Sequence, residues 1–167
     1  IGRLTKQKGQ QQLIDLAIEL KRKKFDFILL IAGGGELKES LFNMIVQNDL
    51  RNHVHLLGFV NDIPSFLKTI DVFLFPSLWE GFGFALAEAM LAKKPVIAYD
   101  VSSNSEVVEH NVTGFLAAED SFDEFMSYSE RLMNEPETRN LFGKKGRDRI
   151  LSNFEFQDQL LKIEEII

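Results

Sequence analysis

The 167-residue sequence contains no cysteine. That excludes a disulfide framework and every thiolate metal site, and it suits a reducing compartment without proving one. Excess positive charge is also missing. With 19 Lys and Arg against 25 Asp and Glu, the formal net charge is −6, which argues against nucleic acid as the main partner. An anionic ligand would need a locally positive pocket. No run approaches the roughly 18 unbroken apolar residues of a membrane span, and no stretch resembles a signal peptide. The triplet Asn111-Val112-Thr113 fits the glycosylation pattern and is read as incidental for that reason. His53, His55 and His110 have neither the mutual spacing nor the carboxylate company of a metal site. No Asp-x-Asp pair, low-complexity linker or internal repeat occurs. What is present is 45% hydrophobic, 11% aromatic and 26% charged, which reads as one globular domain over residues 1–167. A domain of this size buries roughly 70% of its unfolded surface and needs no staples. The sequence opens on Ile1-Gly2-Arg3-Leu4 without an initiator Met. Ile1-Gly2 reads as the tail of a strand, so a fragment is expected.

Apolar runs alternate with segments of helical period from end to end. Residues 13–20 place Leu13, Leu16, Ala17 and Leu20 on one helical face, closed by Lys21-Arg22-Lys23-Lys24, whose cations complement the helix dipole or meet an anionic membrane. Residues 27–32 form an unbroken apolar run ending in three glycines, the pattern of a parallel strand covered on both faces. A helix through Leu37, Leu41, Met44 and Ile45 follows, then a strand over 54–57 ending at Gly58, and a short helix opened by Asn61-Asp62-Ile63-Pro64. Strands are predicted over 72–75, 95–99 and 114–117. A helix from near Gly83 carries Leu86, Ala87, Met90 and Leu91. Ser103 with Glu106, and Ser121 with Glu124, have capping-box spacing, the first opening a short helix to about His110. Helices over 122–133, 136–151 and 157–167 complete the pattern, with Pro136 suited to a first helical position. Trp79 and most phenylalanines read as core. Such alternation implies right-handed crossovers and an α/β fold with a doubly wound parallel sheet flanked by helices. Ligands then sit at the carboxyl ends of strands.

Two of the loops at those ends stand out. The first carries Gly2, Arg3, Lys6, Lys8 and Gly9, and another reads Glu80-Gly81-Phe82-Gly83 just ahead of a helix. Glycines before a helix N-terminus offer free amides to an anion, and Arg3 and Lys8 add charge. Together they describe a diphosphate site that neutralises charge with cations and amides instead of metal. Each piece has a plainer reading: solvated cations for Arg3 and Lys8, a favourable carboxylate at a helix N-terminus for Glu80, a polar-face residue for Glu88. Against the last, the neighbours of Glu88 read as buried, and a buried carboxylate needs a partner.

The stretches Gly2-Arg3-Leu4 with Lys8-Gly9, Ile31-Ala32-Gly33-Gly34-Gly35, Leu57-Gly58-Phe59-Val60, Phe75-Pro76-Ser77, Glu80-Gly81-Phe82-Gly83 through Glu88-Ala89-Met90, Pro95-Val96-Ile97-Ala98 and Thr113-Gly114-Phe115-Leu116 resemble the donor-binding half of retaining GT-B glycosyltransferases, specifically glycosyltransferase family 4. The resemblance implies a Rossmann-like domain forming one half of a GT-B architecture, with the acceptor domain missing ahead of Ile1. It also implies transfer of a hexosyl group from a nucleoside-diphosphate sugar to a glycan or lipid-linked acceptor with retention, in bacterial surface polysaccharide synthesis. By that resemblance Arg3 and Lys8 hold the donor diphosphate and Glu80 contacts the donor sugar. Gly81, Phe82, Gly83 and Leu86 surround sugar and phosphate, and Glu88 binds the ribose hydroxyls, where an ionised carboxylate can accept from two O–H groups. Gly2, Gly33, Gly34, Gly35, Phe59 and Val60 flank ribose and base. No cofactor and no metal is implied, and no nucleic-acid partner. A cytoplasmic protein is expected, with room for peripheral contact at the inner face of the membrane, and a fragment that binds donor without catalysing.

Two other classes compete. A dinucleotide-dependent oxidoreductase needs Gly-x-Gly-x-x-Gly opening a helix, and here Lys38 stands where the third glycine belongs. A non-catalytic Rossmann-like or flavodoxin-like module of the signalling-receiver type needs an acidic cluster at strand ends, for which Asp71 and Asp100 alone are a poor match.

Overall fold

The computed structural model describes residues 1–81 and 83–153. The expected helix over 157–167 lies outside them. The chain forms two compact units. The first comprises Ile1–Asn61 with Pro76–Trp79, and the second Asp62–Phe75 with the residues from Glu80 onward.

In the first unit a 3-10 turn, Lys6–Lys8, leads through Gly9 into α1 (Gln10–Arg22), followed by β1 (Leu29–Ala32), α2 (Lys38–Gln47) and β2 (Val54–Gly58). The two strands are parallel, in register from Leu29 opposite Val54 to Ala32 opposite Gly58. Leu13, Ile14, Leu16, Ala17 and Leu20 of α1 are buried together with Leu4, Ile31, Leu41, Ile45 and Val54. β1 is shorter than the apolar run that announces it. Ile28 is 60% exposed and only Ile31 and Ala32 are buried, so cover on both faces is reached only at the carboxyl end. Ahead of the strand Phe27 stacks on His53 at 4.8 Å between ring centroids, and the first four residues of β2 alternate between buried or half-buried and exposed positions. Ile1-Gly2 is not a strand, yet it runs beside β1: the Gly2 N–H donates to the Ala32 carbonyl at 3.0 Å and the Leu4 N–H to the Gly34 carbonyl at 2.9 Å. The basic tail of α1 is partly consumed locally, Lys21 pairing with Asp49 at 2.8 Å and Arg22 with Glu19 at 2.7 Å.

The second unit contains α3 (Ile63–Thr69), β3 (Phe73–Phe75), α4 (Phe84–Leu91), β4 (Val96–Tyr99), α5 (Asn104–Val107), β5 (Gly114–Ala117), α6 (Phe122–Asn134) and α7 (Pro136–Asn153). Its strands are parallel in the order β3-β4-β5. Every residue of β4 and β5 is buried, as expected of strands covered on both faces. The alternating strands and helices thus form parallel sheets flanked by helices, in two strand groups. Around β4 and β5 the aromatic rings interlock, Phe115 stacking on Tyr128 at 4.5 Å and Tyr99 tilting over Phe125 at 5.1 Å. His110 Nδ1 accepts the Leu116 N–H at 3.0 Å, which fixes its proton on Nε2. α7 seats on α4. Arg147 donates to the Leu91 carbonyl at 2.7 Å, and Gly143 brings the helix so close to the Lys93 carbonyl that a Cβ there would collide with it.

Asp62 caps α3, accepting the Ser65 N–H at 3.0 Å, and hydrogen bonding from the Ser65 side chain, joined by this backbone bond, holds its carboxyl below the usual carboxylate range. The two expected capping boxes do not form. Ser103 stands at the N-cap of α5 without a side-chain cap bond, its hydroxyl buried and unpartnered, and α5 stops at Val107 instead of reaching His110. At α6, Ser121 likewise makes no side-chain cap bond, and the Glu124 carboxylate accepts the Ala118 N–H at 2.7 Å instead. In that helix a backbone amide further upstream offers Glu124 a better-placed donor than the box geometry does.

Candidate functional site

Each unit presents its own set of candidate residues. In the first unit they gather at the carboxyl end of β1. Gly33 adopts φ +138°, and a Cβ there would collide with the Gly2 carbonyl, so only glycine lets these two backbone segments meet. The Gly33 N–H in turn donates to Gly58 at 2.6 Å, and the Leu37 N–H to Leu4 at 3.1 Å. Gly2, Gly33, Gly34, Gly35 and the end of β2 therefore converge. The Phe59 ring edge lies against Gly34, with Cε2 at 2.9 Å from where a Cβ would stand, and Phe59 is 83% exposed. Val60 is half-buried beside it in the chain. The Lys8 stem passes Gly2, Cε lying 3.8 Å from a Cβ position there. The Arg3 side chain is exposed while its neighbour Leu4 is buried. Thus a rigid backbone seat carries an exposed guanidinium, with a half-buried lysine two residues beyond the turn's start.

In the second unit the loop ahead of α4 is the counterpart. Glu80 is half-buried, and its N–H donates to the Ser102 hydroxyl at 3.4 Å. Gly81 is exposed, and a side chain there would project into open space. Among the described residues no packing contact requires glycine at that position. Gly83 is buried against Leu86 Cδ1, and the Leu86 N–H donates to the Gly83 carbonyl at 2.8 Å. Leu86 itself is fully buried, so its side chain belongs to the core. Phe82 lies outside the described residues. Glu88, on α4 among buried Leu86, Ala87, Ala89 and Met90, is half-buried and makes no side-chain hydrogen bond among the described residues. Burial pushes its carboxyl above the usual carboxylate range.

The structure corrects the sequence at Trp79, which is 54% exposed instead of buried, its carbonyl held by Gln7 at 3.0 Å. Gln10 and Asn104 were not singled out by spacing. Both are buried amides, each donating to a backbone carbonyl, Gln10 to Arg3 at 2.8 Å and Asn104 to Tyr99 at 3.0 Å, and each leaving its own oxygen unpartnered. Among the described residues no three His, Asp or Glu side chains come together as metal ligands, and no helix is long and apolar enough to cross a membrane.

Residues 1–149 match the family model described as glycosyl transferases group 1. The chain belongs to that family. Within it, the chain is 31% identical over 169 residues to the UDP-Gal:alpha-D-GlcNAc-diphosphoundecaprenol alpha-1,3-galactosyltransferase of Escherichia coli, covering 99% of this chain and 43% of that enzyme. It is also 31% identical to the capsular polysaccharide biosynthesis glycosyltransferase CapM of Staphylococcus aureus, covering 94% and 42%. Among solved structures it superposes on the C-terminal domain of the group 1 glycosyltransferase LpcC from Francisella tularensis with a TM-score of 0.84 at 27% identity, covering 94% of this chain and 85% of that one. On Anabaena HepE in complex with UDP the TM-score is 0.86 at 26% identity, covering 99% and 46%. The chain is a GT-B glycosyltransferase domain of the C-terminal type and spans less than half the length of the curated relatives named here.

Proposed function

We propose that this domain binds the nucleoside-diphosphate sugar of a retaining glycosyltransferase of family 4. The observation that carries the reading is the seating of Gly2-Arg3-Leu4. Two of its N–H groups are tied to the end of β1 and the following glycines, and Arg3 faces solvent at the carboxyl end of a parallel strand, where α/β folds hold ligands. Gly81, which packing does not require, fits a loop whose amide approaches a ligand closely.

In this reading Arg3 and Lys8 bind the donor diphosphate, Glu80 the sugar and Glu88 the ribose hydroxyls, with Gly33, Gly34, Gly35, Phe59 and Val60 beside ribose and base. Transfer breaks the bond from the sugar's anomeric carbon to the diphosphate oxygen. The electron pair leaves on that oxygen, the acceptor hydroxyl adds on the same face, and its proton passes to the departing diphosphate oxygen. Negative charge grows on the leaving diphosphate, so cations already in place there stabilise the transition state more than the ground state. No metal enters this scheme. The lipid-linked acceptor in the name of the Escherichia coli relative, and the capsular product in that of CapM, support a hexosyl transfer in surface polysaccharide synthesis. The undecaprenol in the first of these names supports action at a membrane, which this reading puts at its cytoplasmic face, the acceptor being handled by parts of the enzyme outside these residues.

Calorimetry and thermal melting with UDP and GDP in the presence of a chelator test the proposal. One of them raises the melting point, by the equivalent of roughly 2.7 kcal/mol at about 100 times its dissociation constant, and Arg3→Ala weakens that binding about tenfold or more, as expected for a lost charge-assisted contact. A shift with NAD and none with either diphosphate would overturn it.

A further inference from the structure

Gln10 is the first residue of α1, yet its side chain is only 6% exposed. A glutamine at such a position ordinarily extends into water. Here its Nε2 donates to the Arg3 carbonyl at 2.8 Å while its Oε1 is buried with no partner among the described residues. The amide cannot be reversed, because an Oε1 facing a carbonyl would set two acceptors against each other. An unpartnered buried oxygen works against folding, and the buried neighbours Leu13 and Ile14 show that an apolar side chain would be at home on this face. What the amide supplies is position. The Arg3 carbonyl is held by Gln10 from one side and by the Thr5 N–H at 3.0 Å within the turn, while the residues flanking Arg3 are tied to Ala32 and Gly34. Gln10 thus reaches the backbone of Arg3 from a separate element, the start of α1.

We propose that Gln10 is a positioning residue: through the Arg3 carbonyl it aims the Arg3 guanidinium at the diphosphate of the nucleotide. This rests on the diphosphate role proposed above for Arg3. A guanidinium on an exposed turn sweeps a wide volume, and fixing its backbone from a helix that begins only seven residues away narrows that volume at no further charge.

The test is a double-mutant cycle on the 167-residue chain, titrating UDP and GDP against wild type, Gln10→Met, Arg3→Ala and the double variant, with melting points for all four. Met matches the glutamine in length and shape without its amide, and Gln10→Leu serves as a second variant if Met disturbs folding. With Arg3 present, losing the amide weakens the bound nucleotide about tenfold. In the Arg3→Ala background it weakens it less than about twofold. Uridine, which has no diphosphate, binds wild type and Gln10→Met alike. Equal weakening in both backgrounds, or none in either, overturns the proposal, because Gln10 then acts on the fold in general or not at all. If Arg3→Ala leaves nucleotide affinity unchanged while the domain still binds it, the diphosphate role of Arg3 fails, and Gln10 falls with it. That result is distinguishable from the first two by the Arg3→Ala titration alone.

Discussion

Glu88 combines two facts that pull against each other: it is half-buried on an otherwise apolar helix, and its carboxylate accepts no hydrogen bond among the described residues. A ribose would supply two O–H donors to such a group. Glu88→Gln is therefore expected to weaken binding of the nucleoside diphosphate about tenfold while leaving inorganic pyrophosphate nearly unaffected. Calorimetry with both ligands decides it, and equal loss for both would refute the ribose role. The same residue has a pH signature. Burial raises its folded value, so its contribution to stability is fully present below the ordinary glutamate range and is lost as pH rises through the raised value. Melting points taken from about pH 4 to pH 8 should fall less steeply for Glu88→Gln than for wild type. Arg3, Glu80 and Glu88 stand out in the sequence because they sit among glycines in stretches that resemble the family's motifs. Gln10 does not, since a glutamine within a run of three at a helix start reads as solvated surface, and its burial depends on the turn of residues 3–5 folding back over it. Trp79 misled for the opposite reason. Its size suggests core, whereas its place just after buried Pro76 and Ser77 leaves the chain turning outward.

At the scale of elements, β4 and β5 were legible because an unbroken apolar run has few alternatives once it is flanked by turn residues. The helix starts were legible in position but not in mechanism. A Ser-x-x-Glu pattern states only that a cap can form, and in α5 and α6 other arrangements prevail. A measurable consequence follows at Ser103. Replacing a working N-cap serine by alanine costs typically about 1 kcal/mol, but the Ser103 hydroxyl is buried, has no hydrogen-bond partner among the described residues and makes no cap bond to α5. Ser103→Ala should change stability by less than about 0.5 kcal/mol, or increase it, in urea unfolding. A loss near 1 kcal/mol or more would show that the hydroxyl does cap α5 in solution. At the end of β1 the opposite holds. Gly33→Ala drives a methyl into the Gly2 carbonyl and should destabilise by well over about 1 kcal/mol in the same assay.

For the molecule as a whole, the net charge of −6 describes an average that the ligand does not meet. If binding runs through Arg3 and Lys8, nucleotide affinity must fall as salt is raised across the range where the Debye length shrinks from about 30 to 10 Å, despite the overall repulsion between two anions. Affinity that rises with salt would show the global charge prevailing over the local cations. The class of fold could be read from the alternation of strands and helices. The division into two compact units, with the Pro76–Trp79 segment belonging to the first and Glu80 to the second, could not, because it depends on tertiary packing that leaves no mark on periodicity. The seating of α7 on α4 reaches further than packing. Gly143 and Arg147 grip the chain at Lys93 and Leu91, at the last residue of the helix that carries Glu88 and just beyond it. A random mutagenesis screen scored on nucleotide retention would therefore return changes at Gly143 alongside those at Glu88. A geneticist mapping them would be led to a ligand contact where there is only the packing of one helix on another.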